Sequence, residues 1–279
     1  MFSRIAIVGL GLLGGSFALA MKKRFPGTRI TAVGRSEQKL RPAVVSGMVD
    51  DVTASRTEGV VNAQLVVIGT PAASVAAVLA EIAPFIAPGT LITDFASTKK
   101  EIVAAGDDIG FPNAMFVGCH PIAGSEKTGF EHAAVDLFTD KTIVVTPTKH
   151  TKPEAVQLLT ALWKDLSARP VLMSPEEHDR KLAVTSHLVH LAASALTATV
   201  SREDAFTPLI GSGFLDTTRV AKGDETMWTD IVKTNGSDIL SALSRFKCEV
   251  NEIERMITEH EYDALFAYLK GVRVFRERI

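Results

Sequence analysis

Near the N-terminus, Ile5, Ala6, Ile7 and Val8 lead directly into Gly9, Leu10, Gly11, Leu12, Leu13 and Gly14, and then into Gly15, Ser16 and a helical stretch over 16–24. Few local patterns leave the backbone so little choice. In a strand-to-helix turn of G-x-G-x-x-G type, the first glycine makes the tight turn and the second lets backbone approach a pyrophosphate. The third lets the helix pack close on the strand. An anion is favoured at such a helix N-terminus, where unpaired N–H groups and the macrodipole converge. The apolar strand before the turn and the helix after it make this a dinucleotide site, with Gly9, Gly11, Leu12, Leu13 and Gly14 as its cradle.

The second strand ends in Val33, Gly34, Arg35 and Ser36, and residues 29–36 contain no acidic side chain. An Asp or Glu about 20 residues after the glycines serves a ribose 2′-hydroxyl, whereas an Arg there accommodates a 2′-phosphate. Gly34 leaves room, Arg35 offers a planar guanidinium, and Ser36 adds a hydroxyl. This pattern favours NADP; NAD is the alternative if Arg35 is a solvated loop residue.

Strand-like runs at 5–8, 30–33, 65–68, 91–93, 115–117 and 142–145 alternate with helical segments such as 73–85. Continuous Val/Ile/Leu runs of this kind mark parallel strands buried on both faces. A helix over 153–166 and a strand over 171–173 follow, and after Ser174 and Pro175 only helical patterns remain. The expected fold is α/β, with a Rossmann-type, doubly wound parallel sheet over 1–173 followed by an all-α domain over 174–279. Ile239, Leu243, Phe246, Val250, Ile253 and Ile257 form a heptad seam, suited to an intradomain core or to a subunit interface. So small a helical domain leaves apolar surface uncovered, which favours a homodimer.

A formal net charge of −2 with 22% charged residues gives no electrostatic case for nucleic acid. Cys119 and Cys248 make neither a metal-finger spacing nor a disulfide framework, which fits a reducing cytoplasm. The N-terminal strand leaves no expectation of a signal peptide. The apolar stretch over 188–200, interrupted by Ser194, Thr197 and Thr199, reads as too short to span a membrane.

In open parallel sheets, ligands gather beyond the carboxyl ends of the strands. Three consecutive strand ends carry polar groups: Thr70 and Pro71, then Asp94 to Thr98 with Ser97, then Gly118, Cys119, His120 and Pro121. His120 is the general-base candidate, since imidazole titrates near neutrality, and Ser97 can share the same substrate hydroxyl. His178, His187 and His190 follow, the last two one helical turn apart. A zinc site is the rival reading, but there is no H-E-x-x-H and no cysteine at ligand spacing. Further on, a small-residue turn from Gly211 ends in Arg219, which can grip a carboxylate in bidentate fashion, with Asp216 placed to hold it.

Taken in order, these motifs have a family likeness. The glycine loop, Thr70-Pro71, Thr93-Asp94 through Ser97 with Lys99, the H-P-I-A-G run from His120, the S-H-L-V-H run from Ser186 to His190, and Gly213 to Arg219 with Trp228 resemble the prephenate and arogenate dehydrogenases of tyrosine biosynthesis. The resemblance covers nearly the whole chain and implies the dehydrogenase alone, without a fused mutase or ACT-type regulatory domain. It implies oxidative decarboxylation of arogenate or prephenate: hydride leaves the ring carbon bearing the 4-hydroxyl while the ring carboxylate departs as carbon dioxide. His120 would then accept the hydroxyl proton, Ser97 orient that hydroxyl, Arg219 hold a carboxylate, and His190, His187 and Trp228 line the pocket. Glu126 matches an acidic position of prephenate-using members and would equally suit the ammonium of arogenate. Tyrosine, shaped like the substrate, is a plausible inhibitor at this site. The rivals are a β-hydroxyacid dehydrogenase or imine reductase, which need a Lys and an Asn four residues apart where this chain offers Lys233 and Asn235, and a non-catalytic NADPH-binding sensor.

Overall fold

A strand that is apolar on both faces is stable only between two covering layers, and Arg4–Val8 (β1) is such a strand: Ile5 and Ile7 belong to one core, Ala6 and Val8 to the other. The computed structural model describes residues 2–124, 127–202 and 209–279. After β1 come α1 (Leu12–Arg24), β2 (Arg29–Val33), α2 (Glu37–Val45), β3 (Asp51–Thr53), α3 (Arg56–Val60), β4 (Leu65–Ile68), α4 (Ala72–Ile82), β5 (Leu91–Asp94), α5 (Lys100–Ile109) and β6 (Met115–Phe116). The strands pair in parallel, in the order β3-β2-β1-β4-β5-β6. The order reverses between β1 and β4, so a crevice opens where Gly9 and Gly69 end those strands.

The remaining strands depart from one continuous doubly wound sheet. Val117 N donates the last bond to the first sheet, to Ile92 O at 3.1 Å, and the chain then starts β7 (Gly118–Pro121). With β8 (Thr142–Thr146), α6 (Pro153–Asp165) and β9 (Arg169–Leu172) this builds a second, three-stranded sheet, in which β7 runs antiparallel to β8 and β8 parallel to β9. Gly118 permits the break. A Cβ there would lie 2.5 Å from Thr146 Oγ1 and 2.6 Å from Val103 Cγ2, so only glycine passes between them. His120 is therefore inside a strand, opposite Val144, and not in a loop beyond a strand end.

Ser174 starts the helical part by accepting a bond from Glu177 N at 3.1 Å, with Pro175 in the first turn. The elements are α7 (Pro175–Leu182), a π-helical turn (Ala183–His187), α8 (Leu188–Ser201), α9 (Ser212–Thr218), a 3₁₀ turn (Arg219–Lys222), α10 (Glu225–Thr234), α11 (Gly236–Thr258) and α12 (Tyr262–Arg276). α7, the π turn and α8 run on as one helix, Pro175–Ser201, of 27 residues. By length and composition alone it is long enough to cross a membrane, contrary to the shorter apolar run expected from sequence. The heptad seam on α11 divides along its length. Ile239 is buried, whereas Phe246, Val250 and Ile257 are 40–51% exposed.

Candidate active site

Each glycine of the N-terminal turn has its own physical job. Gly9 has φ +96°, and a Cβ on it would sit 2.8 Å from the carbonyl carbon of Gly69. A Cβ on Gly14 would lie 2.8 Å from Gly9 O and 3.1 Å from Ile7 Cγ2, so this position sets how closely α1 packs on β1. Gly11 is different: a Cβ there meets nothing within 4 Å, so the protein itself leaves this position open. α1 begins at Leu12 and Leu13 with no side-chain cap, which leaves its first N–H groups for an anion. Across the crevice, Thr70 Oγ1 is buried with no hydrogen-bond partner, and Pro71 opens α4. At the end of β2, Gly34 is half-buried, Arg35 is exposed, and Ser36 caps α2 by accepting from Lys39 N at 3.4 Å. An open anion cradle, uncapped N–H groups and an orphaned hydroxyl fit a nicotinamide dinucleotide.

The second half of the site lies where the two domains meet. Residues 98–100 tie them together: Thr98 Oγ1 and Thr234 Oγ1 are 2.9 Å apart, and Lys100 Nζ donates to Asp238 Oδ2 at 2.6 Å. The backbone N–H groups of Lys99 and Lys100 donate to Asp179 Oδ1 and Oδ2 at 2.8 and 2.9 Å. Lys99 is itself fully buried, ion-paired with Asp94, and donates to Cys119 O at 3.0 Å. Asp94 Oδ1 accepts from Cys119 N at 3.2 Å, so the pair holds the β7 backbone immediately before His120. Ser97 is half-buried in the loop that leads into this clamp.

From His120 a line of polar contacts crosses into the helical domain. Its Nδ1 lies 2.8 Å from His178 Nε2, and His178 Nδ1 lies 2.7 Å from Asp179 Oδ1. Asn235 Nδ2 donates to Asp179 O at 2.9 Å and lies 3.3 Å from His187 Nδ1. The His187 ring meets Trp228 edge-on, and His190 stacks on the same indole with centroids 3.6 Å apart. His190 Nδ1 is held by Val220 O at 2.9 Å, in the turn that begins with Arg219. Gly223 makes this packing possible, since a Cβ there would lie 2.3 Å from Trp228 Nε1.

These contacts set the charge states. Burial pushes His120 well below the ordinary imidazole range, and His178, Lys99 and His187 push it the same way. Burial lowers His187 to about 4, and lowers His178 despite its bond to Asp179. For Asp179, burial alone would raise the carboxyl, but the bonds from His178 and the Lys100 and Lys99 N–H groups outweigh it and hold it below its usual range. The centre is a carboxylate beside neutral imidazoles. Burial, with Asp94 nearby, pushes the Cys119 thiol far above its ordinary range, so it stays protonated.

The structure connects His120 through His178, Asp179 and Asn235 to the grouped His187, His190 and Trp228, in one continuous wall. Arg219 and Asp216 are exposed on the flank of that wall, and Glu126 lies outside the described residues. Sequence reading noted His178 without a role and passed over Asp179. The adjacency of a His and an Asp at a capped helix start was the available signal. Of the rival lysine–asparagine pair, Lys233 is exposed and 3.9 Å from Asp230, while Asn235 is buried among the histidines. Among the described residues, no group of three or more His, Cys, Asp or Glu is arranged to hold a metal ion.

A dinucleotide-type glycine turn at the switch point of a parallel sheet, together with a buried imidazole at the junction with a helical domain, is the arrangement of a two-domain, nicotinamide-dependent dehydrogenase. Residues 17–172 match the family model for the prephenate dehydrogenase nucleotide-binding domain, and residues 174–271 match that for the prephenate dehydrogenase dimerization domain. A prephenate dehydrogenase of Bacillus subtilis is 36% identical over 98% of this chain and 75% of its own length. The prephenate dehydrogenase of Aquifex aeolicus, solved with hydroxyphenyl propionate and NAD+, superposes with a TM-score of 0.92 at 30% identity, over 100% of this chain and 99% of that one. An arogenate dehydrogenase of Synechocystis superposes with a TM-score of 0.84 at 27% identity, over 99% of each chain. The chain belongs to the prephenate dehydrogenase family, the nicotinamide-dependent dehydrogenases of tyrosine biosynthesis.

Proposed function

We propose that this chain oxidatively decarboxylates arogenate, prephenate or both, with NADP as the preferred acceptor, and that His120 is its general base. The observation that carries the reading is the buried, neutral His120 at the junction of the cofactor domain and the histidine-lined helical wall. The bound nicotinamide supplies the hydride acceptor. Gly9, Gly11, Leu12, Leu13 and Gly14 would cradle the pyrophosphate, with Thr70 and Pro71 on the facing side of the crevice and Ser97 beside it. Gly34, Arg35 and Ser36 would receive the adenosine 2′-phosphate, because an arginine and a helix N-terminus stand there in place of a carboxylate.

On the substrate side, Ser97 orients the 4-hydroxyl and His120 accepts its proton. The O–H electron pair becomes the second C–O bond as hydride leaves the same carbon. When carbon dioxide leaves, its C–C bonding pair enters the ring, the second C–O pair returns to oxygen and takes back the proton from His120, and the gain of aromaticity makes the step irreversible. Arg219, steadied by Asp216, holds the side-chain carboxylate, and His190, His187 and Trp228 pack against that end. Since His190 and Trp228 are neutral, the carboxylate's charge falls to Arg219. Tyrosine has the same carboxylate and ring, so it would compete there. The dimerization-domain match and the bare apolar faces of α11 and α12 support a homodimer through the C-terminal helices, residues 174–279, with 1–173 as the cofactor unit. A cytoplasmic enzyme without a membrane or nucleic-acid partner fits the reduced cysteines and balanced charge.

The test is the absorbance of reduced cofactor with each of the two substrates against NADP and NAD. Turnover with at least one substrate, faster with NADP, is expected. No turnover with either substrate overturns the reading, and faster turnover with NAD overturns its cofactor half.

A further inference from the structure

The contacts behind His120 determine where its protons sit. Both Asp179 oxygens accept backbone N–H groups, from Lys99 at 2.8 Å and Lys100 at 2.9 Å, and these bonds favour the ionised carboxylate, which has no proton to offer. The 2.7 Å contact with His178 Nδ1 therefore requires the proton to be on that nitrogen, because two acceptors would repel there. A neutral imidazole carries one N–H, which leaves His178 Nε2 as a lone pair. The same argument applies once more: at 2.8 Å from that lone pair, His120 Nδ1 must be the donor. Its Nε2 is then bare.

We propose that Asp179 and His178 are positioning residues for His120, locking it as the Nδ1–H tautomer with the Nε2 lone pair toward the substrate hydroxyl. The proposal rests on the function given above. When the substrate O–H breaks, its proton bonds to His120 Nε2 and its electron pair becomes the second C–O bond as hydride departs. The imidazolium so formed keeps donating through Nδ1 to His178, which donates to Asp179, so the new charge is hydrogen-bonded to a carboxylate-anchored chain without any group moving. Lowered proton affinity of both histidines in the resting state agrees with two neutral rings. The charged or titratable groups that act on the pair, among the described residues, are Asp179 beside His178, Lys99 from the segment after β5 with its partner Asp94 at the end of β5, and His187 from the π turn, with the Cys119 thiol next to His120 on β7. The β8 strand opposite His120 contributes none. A wrong tautomer would present an N–H to the substrate hydroxyl, and no base.

Two-bond ¹H–¹⁵N correlation spectra of the protein without substrate read the tautomer directly. His120 with a protonated Nδ1 and a bare Nε2 is expected near neutral pH, and the opposite tautomer overturns the proposal. In steady-state assays, Asp179→Asn should lower kcat by about a hundredfold or more, with KM and cofactor affinity within about threefold, as expected for a misdirected imidazole. His178→Gln, whose amide oxygen can still accept from His120 Nδ1, should retain at least about tenfold more kcat than His178→Leu. An Asp179→Asn enzyme with unchanged kcat, or with its loss confined to KM, overturns the proposal. If that variant does not fold, the wild-type spectrum and the two His178 variants decide. A wild-type protein silent with both substrates but showing the expected tautomer would refute the function while leaving the proton assignment intact.

Discussion

At the scale of single residues, the chain spends burial to keep imidazoles uncharged. An imidazole in this position can take a proton during turnover because it does not hold one beforehand. His120→Asn would remove the proposed acceptor without altering the glycine turn. Its turnover should drop at least about a hundredfold, with cofactor affinity, measured by fluorescence titration, unchanged. The same burial makes stability depend on pH. His187 titrates at about 4 in the folded protein against 6.5 ordinarily, so the unfolded chain binds the proton first as pH falls. Stability from this group is complete above about 6.5 and declines toward about 4, by an amount on the order of 3 kcal/mol, with His120 and His178 acting in the same direction. Urea midpoints that fall steadily from pH 7 to pH 4.5 would bear this out, and a flat profile would contradict it.

At the scale of elements, the turn between β1 and α1 separates folding from binding within a few residues. Gly9 is required by the fold itself: its positive φ and the backbone of Gly69 at 2.8 Å leave no room for a methyl group. Gly11 has no such constraint from the protein itself, since a Cβ there meets nothing within 4 Å, and on the proposed function its size matters only to a bound cofactor. Gly9→Ala should therefore lower the melting temperature of the cofactor-free protein, while Gly11→Ala should leave it nearly unchanged and weaken cofactor binding by tenfold or more, on the order of 1.4 kcal/mol. Equal effects of both substitutions on melting would refute this division. The buried Asp94–Lys99 pair works across elements, since it fastens the end of β5 to β7 and so places His120. Removing either partner would leave a charge stranded in the core.

At the scale of the whole molecule, the helical domain is incomplete by itself. Its buried core is small, centred on Ala183, Ile231, Ile239 and Ala242, while Phe266, Leu269, Val272 and Phe275 stand more than half exposed along α12. A row of apolar side chains at helical spacing is costly to leave in water and is covered when a second copy docks on it. Sedimentation at micromolar concentration should give twice the 29.9 kDa chain mass, and Leu269→Glu should shift the population to monomer. A monomeric wild-type protein would show that this surface serves something else.

Sequence alone was enough for the dinucleotide turn, the alternation of strands and helices in the first half, the all-helical remainder and the family. Each of these is written in residues close together in the chain, as periodicity, glycine spacing or short motifs. His120 and Ser97 were also legible as candidates. Their surroundings were not: the second sheet that carries His120 depends on a side chain from β8 pressing on Gly118, and the His120–His178 contact joins positions 58 apart across a domain junction. Which nitrogen is bare, which histidine is neutral and which helix face is uncovered depend on packing between distant segments, and only the tertiary structure brings those segments within hydrogen-bonding distance.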